Sequence, residues 1–410
     1  MILRNVAERL RAALADSPVV LLNGARQTGK STLVQWLAQS DYPARYLTLD
    51  DATVLAAARD DPAGFLAGLE KPIILDEVQR APELFLAIKA DVDRHRKPGR
   101  YLLTGSANVL LLPQLSESLV GRMELLTLWP FSQGELASSQ DRFVDAVFAA
   151  RTPSEITHLG RAELIRRLLV GGYPEAVARS SPTRRGAWFG SYLTTLIQRD
   201  IRDLAHIERL SAIPRLLSLL ASRATALLNY SELARSLGLP QSTLKRYMAL
   251  LEATFLSQPL PAWSANLGKR LVKSPKVMLN DTGLIAHLLG VSAARLESEP
   301  QLLGALLENF VAMELVKQIT WSRMQPKLYH FRTQAGREVD LILEAPSGEL
   351  VGLEVKAAAT VGAADFKGLR LLRELLGGRF VRGVVLYTGR EVVPFGEGLY
   401  AWPLGALWQS

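Results

Sequence analysis

The stretch that decides how this chain is read is Gly24-Ala25-Arg26-Gln27-Thr28-Gly29-Lys30-Ser31. It fits G-x-x-x-x-G-K-[ST]. An apolar run (VVLL, residues 19–22) precedes it and a stretch of helical spacing (residues 30–38) follows, the setting in which this pattern forms a phosphate loop. Glycine lets the backbone curl until its N–H groups point inward at an anion. The start of the helix adds partial positive charge. Lys30 would neutralise the β- and γ-phosphates, and the Ser31 hydroxyl would ligate Mg²⁺. Residues 24–31, with Thr32 behind them, are therefore the expected contacts of ATP and Mg²⁺.

Working outward, a second apolar run (PIIL, residues 72–75) ends in Asp76-Glu77. Open α/β sheets bind ligands at the carboxyl ends of their strands. Asp76 would hold Mg²⁺ through water, and Glu77 would polarise the water that attacks the γ-phosphate. A paired acid here favours hydrolysis over nucleotide storage. A third run (residues 101–104) leads into Gly105-Ser106-Ala107-Asn108. A polar group at that tip would touch the attacking water or the γ-phosphate. Ser106 is the choice, Thr104 and Asn108 the alternatives, and a turn or helix cap the plainer reading. Arg122, before the strand at 123–128, would either reach a neighbouring subunit's nucleotide or form a surface salt bridge. Strands at 19–22, 45–49, 72–75, 101–104 and 123–128, with helical stretches between, predict a parallel sheet covered on both faces.

With these boxes in place, the chain resembles the AAA+ ATPases. The phosphate loop, LDEVQ (75–79), TGS (104–106) and SLVGR (118–122) look like a prokaryotic branch in which an AAA domain is joined to a C-terminal domain of unknown function. The likeness continues through GGYPEAV (171–177) and QRDI (198–201). It implies an AAA+ core over 1–130, a helical lid and connector over 131–228, a water-polarising Glu77, and homo-oligomers such as a hexameric ring.

Residues 231–247 read as helix, glycine turn, helix, with Ser231 and Gln241 or Ser242 at the cap positions. The second helix presents Gln241, Thr243, Lys245 and Arg246, residue types that reach bases or phosphates. Residues 255–263 would form a wing, so that 229–300 resembles a winged helix-turn-helix. Between 229 and 276, seven basic residues (235, 245, 246, 269, 270, 273 and 276) face two acidic ones, a local +5. DNA contact and protein docking are both open to such a unit.

In 301–410, strands at 328–332, 338–343 and 350–355 carry Asp340, Glu354 and Lys356. Period two places Glu354 and Lys356 on one face, and Val339, Leu341, Leu343, Leu353 and Val355 on the other. Two carboxylates and an ammonium on one side of a hairpin are similar to the restriction-endonuclease-like pattern, D then (D/E)-x-K. Asp340 and Glu354 would bind Mg²⁺, Lys356 would help to activate water, and Glu308 on an upstream helix would add a ligand. An active nuclease, a nuclease fold that only binds DNA, and a salt-bridge cluster all fit. The fold expected is thus α/β and multidomain: a P-loop AAA+ core with a helical lid, a winged helix, and a restriction-endonuclease-like domain.

The composition agrees. Of 410 residues, 48% are hydrophobic and 21% charged, which is globular. There is no Cys, hence no disulfide framework and no thiolate metal site. The net charge of +8 is mild and suits a phosphate-rich partner. The amphipathic N-terminus is not a signal peptide, and no apolar run spans a membrane, so a cytoplasmic protein is expected. DNA is the expected partner, the AAA+ core driving remodelling, translocation or branch migration. A nucleotide-gated signalling ATPase whose later domains bind protein is the other reading.

Overall fold

Val19–Asn23 (β1) is buried along its whole length, as a near-continuous apolar strand must be when helices cover both faces of a parallel sheet. A computed structural model describes residues 2–106, 119, 121–149, 156, 158–201, 211–266, 268, 270 and 273–408. It forms two compact units, residues 3–130 with 249–256, and residues 131–248 with 257–410. Asn108, Ser118 and Lys269 lie outside the described residues.

In the first unit, Val6–Asp16 (α1) leads into β1, and Lys30–Gln39 (α2) follows the phosphate loop. Arg45–Thr48 (β2), Ala52–Asp60 (α3), Pro62–Ala67 (α4), Ile73–Asp76 (β3), Leu84–Arg94 (α5), Tyr101–Gly105 (β4) and Met123–Thr127 (β5) complete the alternation. The five strands are parallel in the order β2-β3-β4-β1-β5. Leu21, Leu75 and Leu103 enter one apolar cluster with Phe85 and Ile88 of α5. Each such side chain stabilises by about 2 kcal/mol. Because β1 and β3 both point the same way, their carboxyl ends deliver the phosphate loop and Asp76 to one rim.

The second unit begins with helices: Gln133–Leu136 (α6), Phe143–Ala146 (α7), Arg161–Val170 (α8), Pro174–Val177 (α9), Pro182–Thr195 (α10) and Ala212–Ser222 (α11). Tyr230–Leu237 (α12) and Gln241–Ala253 (α13) form the expected helix-turn-helix, with Gly238 left-handed at φ 64° between them. Ser257–Leu260 (β6) and Lys276–Leu279 (β7) pair as an antiparallel ribbon. Thr282–Leu289 (α14), Ala293–Ser298 (α15) and Pro300–Ile319 (α16) lead to the large sheet. Its strands are Lys327–Arg332 (β8), Glu338–Glu344 (β9), Leu350–Lys356 (β10), Phe380–Tyr387 (β11), Val393–Pro394 (β12) and Leu399–Pro403 (β13), and Lys367–Leu376 (α17) precedes β11. The order is β12-β13-β11-β10-β9-β8.

Two local expectations differ from the structure. The cap of α12 is Asn229, whose side chain accepts from the Glu232 N–H at 3.1 Å, while Ser231 Oγ accepts from Gln241 Nε2 at 3.2 Å. Val339 does not face away from the α17 side: it shares a cluster with Ile342, Leu369 and Leu372. The β8–β9 register shifts between Tyr329 and Phe331, and such a bulge reverses the alternation that a regular strand would keep. Among the described residues, no helix is long and apolar enough to cross a membrane.

Candidate active site

The phosphate loop is built as its glycines require. Gly24 has φ 148°, and a Cβ there would lie 2.2 Å from the Leu128 carbonyl oxygen; Gly29 is at φ 95°. Lys30 is buried, and its Nζ donates to the Gly24 and Ala25 carbonyls at 2.9 Å each. The Thr28 hydroxyl donates to the Ala25 carbonyl at 2.9 Å. From α1's leading edge, Arg4 donates to the Thr28 carbonyl at 2.8 Å and to the Trp129 carbonyl at 2.6 Å. Ala25 and Thr28 are fully buried, and Gln27 is left-handed at φ 61°. Ser31 and Thr32 follow Lys30 in the first turn of α2.

Ser31 Oγ donates to Asp76 Oδ1 at 3.2 Å. Thr104 Oγ1 also donates to Asp76 Oδ1, and the Tyr46 hydroxyl donates to Oδ2 at 2.7 Å. A hydroxyl beside a carboxylate is the hard-oxygen donor set that Mg²⁺ takes; these residues fit that ion. Burial, then the hydrogen bond to Asp76 and its charge, push the Tyr46 hydroxyl up to about 12, so it stays a donor. Glu77 is held in the left-handed region at φ 59°, a conformation that costs about 1–3 kcal/mol outside glycine and clusters at functional sites. Its N–H is satisfied by Thr104 Oγ1 at 3.1 Å. Its Oε2 accepts from Ser106 Oγ at 3.1 Å and from Gln79 Nε2. The strand tips thus bring Asp76, Glu77, Thr104 and Ser106 together. Arg122 is paired instead with Asp93 of α5 at 2.5 Å.

The second constellation lies in the large sheet. Asp340 and Glu354 are both buried. The β9–β10 ladder runs from Leu350↔Glu344 to Leu353↔Leu341. Beyond it the Asp340 carboxylate takes over, Oδ2 accepting from the Val355 N–H at 2.9 Å. Lys356 Nζ meets Glu354 Oε2 at 3.3 Å. Gly368 lets α17 approach β9 closely: a Cβ there would stand 2.0 Å from the Glu338 carbonyl oxygen and 3.2 Å from Glu354 Oε1. Glu308, on α16, stands beside the Asp340–Glu354 pair, and its partner is a lysine: Lys276 Nζ, from β7, lies 2.6 Å from Glu308 Oε1 and 3.8 Å from Asp340 Oδ1. Asn309 fixes this arrangement, bonding the Leu279 N–H at 3.0 Å and the Leu279 carbonyl at 2.9 Å.

Electrostatics follow. Burial, then Asp340, raise Glu308 to about 7, although Lys276 opposes this. Burial and Asp340 also raise Glu354. Burial would lower the two lysines, but Glu308 and Asp340 hold Lys276 charged, and Glu354 and Asp340 do the same for Lys356. Among the described residues, no group of three or more His, Cys, Asp or Glu is placed to hold a metal ion.

Comparison with known proteins matches residues 16–137 to an AAA domain, 161–295 to a domain of unknown function (DUF8612) and 303–407 to a domain of unknown function (DUF4143). An uncharacterized protein of Mycobacterium tuberculosis, Rv2008c, is 35% identical over 407 residues, which is 98% of this chain and 83% of that protein. Mb2031c of Mycobacterium bovis matches equally. The chain belongs to the prokaryotic AAA+ ATPases that carry a DUF4143 domain. Among solved structures, a Thermotoga maritima RuvB Holliday junction branch migration motor is 21% identical, over 63% of this chain and 89% of that one, at a TM-score of 0.30. A STAND ATPase of Pyrococcus horikoshii is 13% identical, over 77% and 46%, at 0.25.

In the AAA+ ATPase the helix-turn-helix exposes Gln241, Lys245 and Arg246 and half-buries Thr243. Lys245 stands over the Tyr230 ring at 5.8 Å. The basic excess expected around them is smaller at the surface. Lys276 is buried in the carboxylate cluster, and Arg270 pairs with Glu344 at 2.6 Å. Tyr46, Gln79 and Lys276 are the site neighbours that residue patterns did not single out. Gln79 stood within the LDEVQ box, and Lys276 within the basic count.

Proposed function

We propose that this AAA+ protein hydrolyses ATP to drive work on DNA. The observation that carries hydrolysis is Glu77, turned by a left-handed backbone and held by Ser106 one residue beyond the Asp76–Ser31 pair. In this reading Lys30 releases the loop carbonyls to bind the β- and γ-phosphates, and residues 24–32 enclose them. Ser31 and Asp76 hold Mg²⁺, which supplies charge neutralisation at the phosphates when bound. Glu77 accepts the proton of the attacking water. Arg122 leaves Asp93 to serve a neighbouring subunit's nucleotide in a homo-oligomeric ring.

DNA is supported by the outward Gln241, Lys245 and Arg246 on the second helix of a helix-turn-helix followed by a ribbon. For the C-terminal cluster, the Lys276 ammonium between Glu308 and Asp340 favours a salt-bridge cluster over a site that cuts DNA. Asp340, Glu354, Glu308 and Lys356 would be the residues of any cleavage.

The test is ATP turnover by the full chain with linear, branched and single-stranded DNA, with and without Mg²⁺. Stimulation of several-fold by at least one DNA is expected. Indifference to every nucleic acid would instead support the signalling reading. Mg²⁺-dependent cleavage that vanishes in Asp340→Ala/Lys356→Ala while ATPase persists would make the C-terminal domain a nuclease.

A further inference from the structure

Glu77 has a second neighbour besides Ser106. Gln79 lies in the short turn Val78–Arg80 that follows it. Its Nε2 donates to Glu77 Oε2 and, at 2.9 Å, to Ser106 Oγ. Ser106 Oγ donates in turn to the same Glu77 oxygen, so three side chains close a ring of hydrogen bonds. Charge fixes the sense of the amide: turning it over would set its oxygen against a carboxylate oxygen. The amide oxygen, Oε1, therefore points the other way. It is buried and has no hydrogen-bond partner among the described residues. A buried acceptor left unpaired beside a reacting group calls for an explanation.

We propose that Gln79 positions the attacking water for ATP hydrolysis, its amide nitrogen holding Glu77 and its amide oxygen accepting one O–H of that water. This rests on the reading of Glu77 as general base. One water hydrogen points to Gln79 Oε1 and the other to the Glu77 carboxylate. As the water oxygen bonds to the γ-phosphorus, Glu77 takes its proton. The bond from the γ-phosphorus to the bridging oxygen breaks, and its electron pair leaves with ADP. The second hydrogen stays on the new phosphate, still donated to Gln79. An amide serves because it carries both roles in one rigid group. Ser106 keeps the carboxylate from following the water out of line.

The experiment uses the full chain with Gln79→Met, which keeps the volume and loses both polar atoms, and Gln79→Ala. Glu77→Gln is the control. Turnover with Mg²⁺-ATP is measured, together with the affinities for ADP and for ADP–aluminium fluoride, whose formation needs an in-line water. Both Gln79 variants are expected to lose about 100-fold in kcat with KM within twofold, and to lose at least tenfold in ADP–aluminium fluoride affinity while ADP binds as before. Wild-type or faster turnover would overturn the proposal, since the amide would then only restrain Glu77. Equal losses for ADP and its fluoride complex would overturn it too, as a packing effect. A fully active Glu77→Gln enzyme would bring down the base assignment itself, whereas inactive Glu77→Gln beside fully active Gln79→Met removes only the role of Gln79.

Discussion

At the level of single residues, three largely enclosed acids show how differently the same group can be used. Glu308 and Asp340 have a cation at hand in Lys276. Asp141 responds differently: burial, then Glu314, raise it to about 8 from its ordinary 3.8, although a hydrogen bond from Ser132 and the Lys317 charge oppose this. The folded chain thus keeps a proton on Asp141 that the unfolded chain gives up near pH 4. Stability falls as pH rises from about 4 toward 8, where the folded carboxyl finally ionises, and is level above that. Asp141→Asn should match the wild type in thermal midpoint near pH 4 and melt higher than it at pH 8. Equal pH dependence of the two melting curves would show that Asp141 does not titrate in this window.

At the level of elements, the helix-turn-helix makes the DNA reading measurable. Lys245 and Arg246 are exposed on α13, and each phosphate that such a cation neutralises releases a counterion. Reversing both to Glu should weaken DNA binding and reduce the slope of log affinity against log salt by about one for every phosphate no longer neutralised. An unchanged slope would move the unit to protein docking. Elements also show what the residue pattern could tell. All five strands of the AAA+ sheet lie within a residue or two of the expected positions; β1, β3 and β4 are the buried, largely apolar runs that parallel sheets require. The ATP-site acids were readable for the same reason, each standing where such a run gives way to polar residues. Elsewhere periodicity fails where geometry departs from the ideal. The bulge near Asp340 moved Val339 across the sheet. β13 was hidden because parallel pairing with β11 sustains a strand among turn-forming residues. Lys276 reaches Glu308 across 32 positions and Asp340 across 64, separations that no local pattern encodes. Gln79 was visible as a letter of a box, and only the direction of its amide reveals a use for it.

For the whole molecule, the folded units and the family boundaries divide the chain differently. The two domains of unknown function end and begin at 295 and 303, yet residues 131–248 and 257–410 form one compact unit. Within it Gln133 N–H and Trp408 Nε1 both bond Glu314 Oε2, at 2.9 and 2.6 Å, so the first and last stretches of that unit meet at one buried carboxylate. Cutting at position 303 would keep Glu308, Asp340, Glu354 and Lys356 and discard Lys276. The excised fragment would leave Glu308 without its ion-pair partner and Asp340 with Lys356 alone, at a cost of about 3–5 kcal/mol for a buried pair broken on one side. It should unfold at lower urea than the full chain, and added Mg²⁺ or Mn²⁺ should raise its midpoint while leaving the C-terminal transition of the full chain in place. Equal responses of fragment and full chain would argue that Lys276 is not the cluster's resident cation. Enzymology done on the isolated domain would then risk reporting a metal appetite created by the scissors.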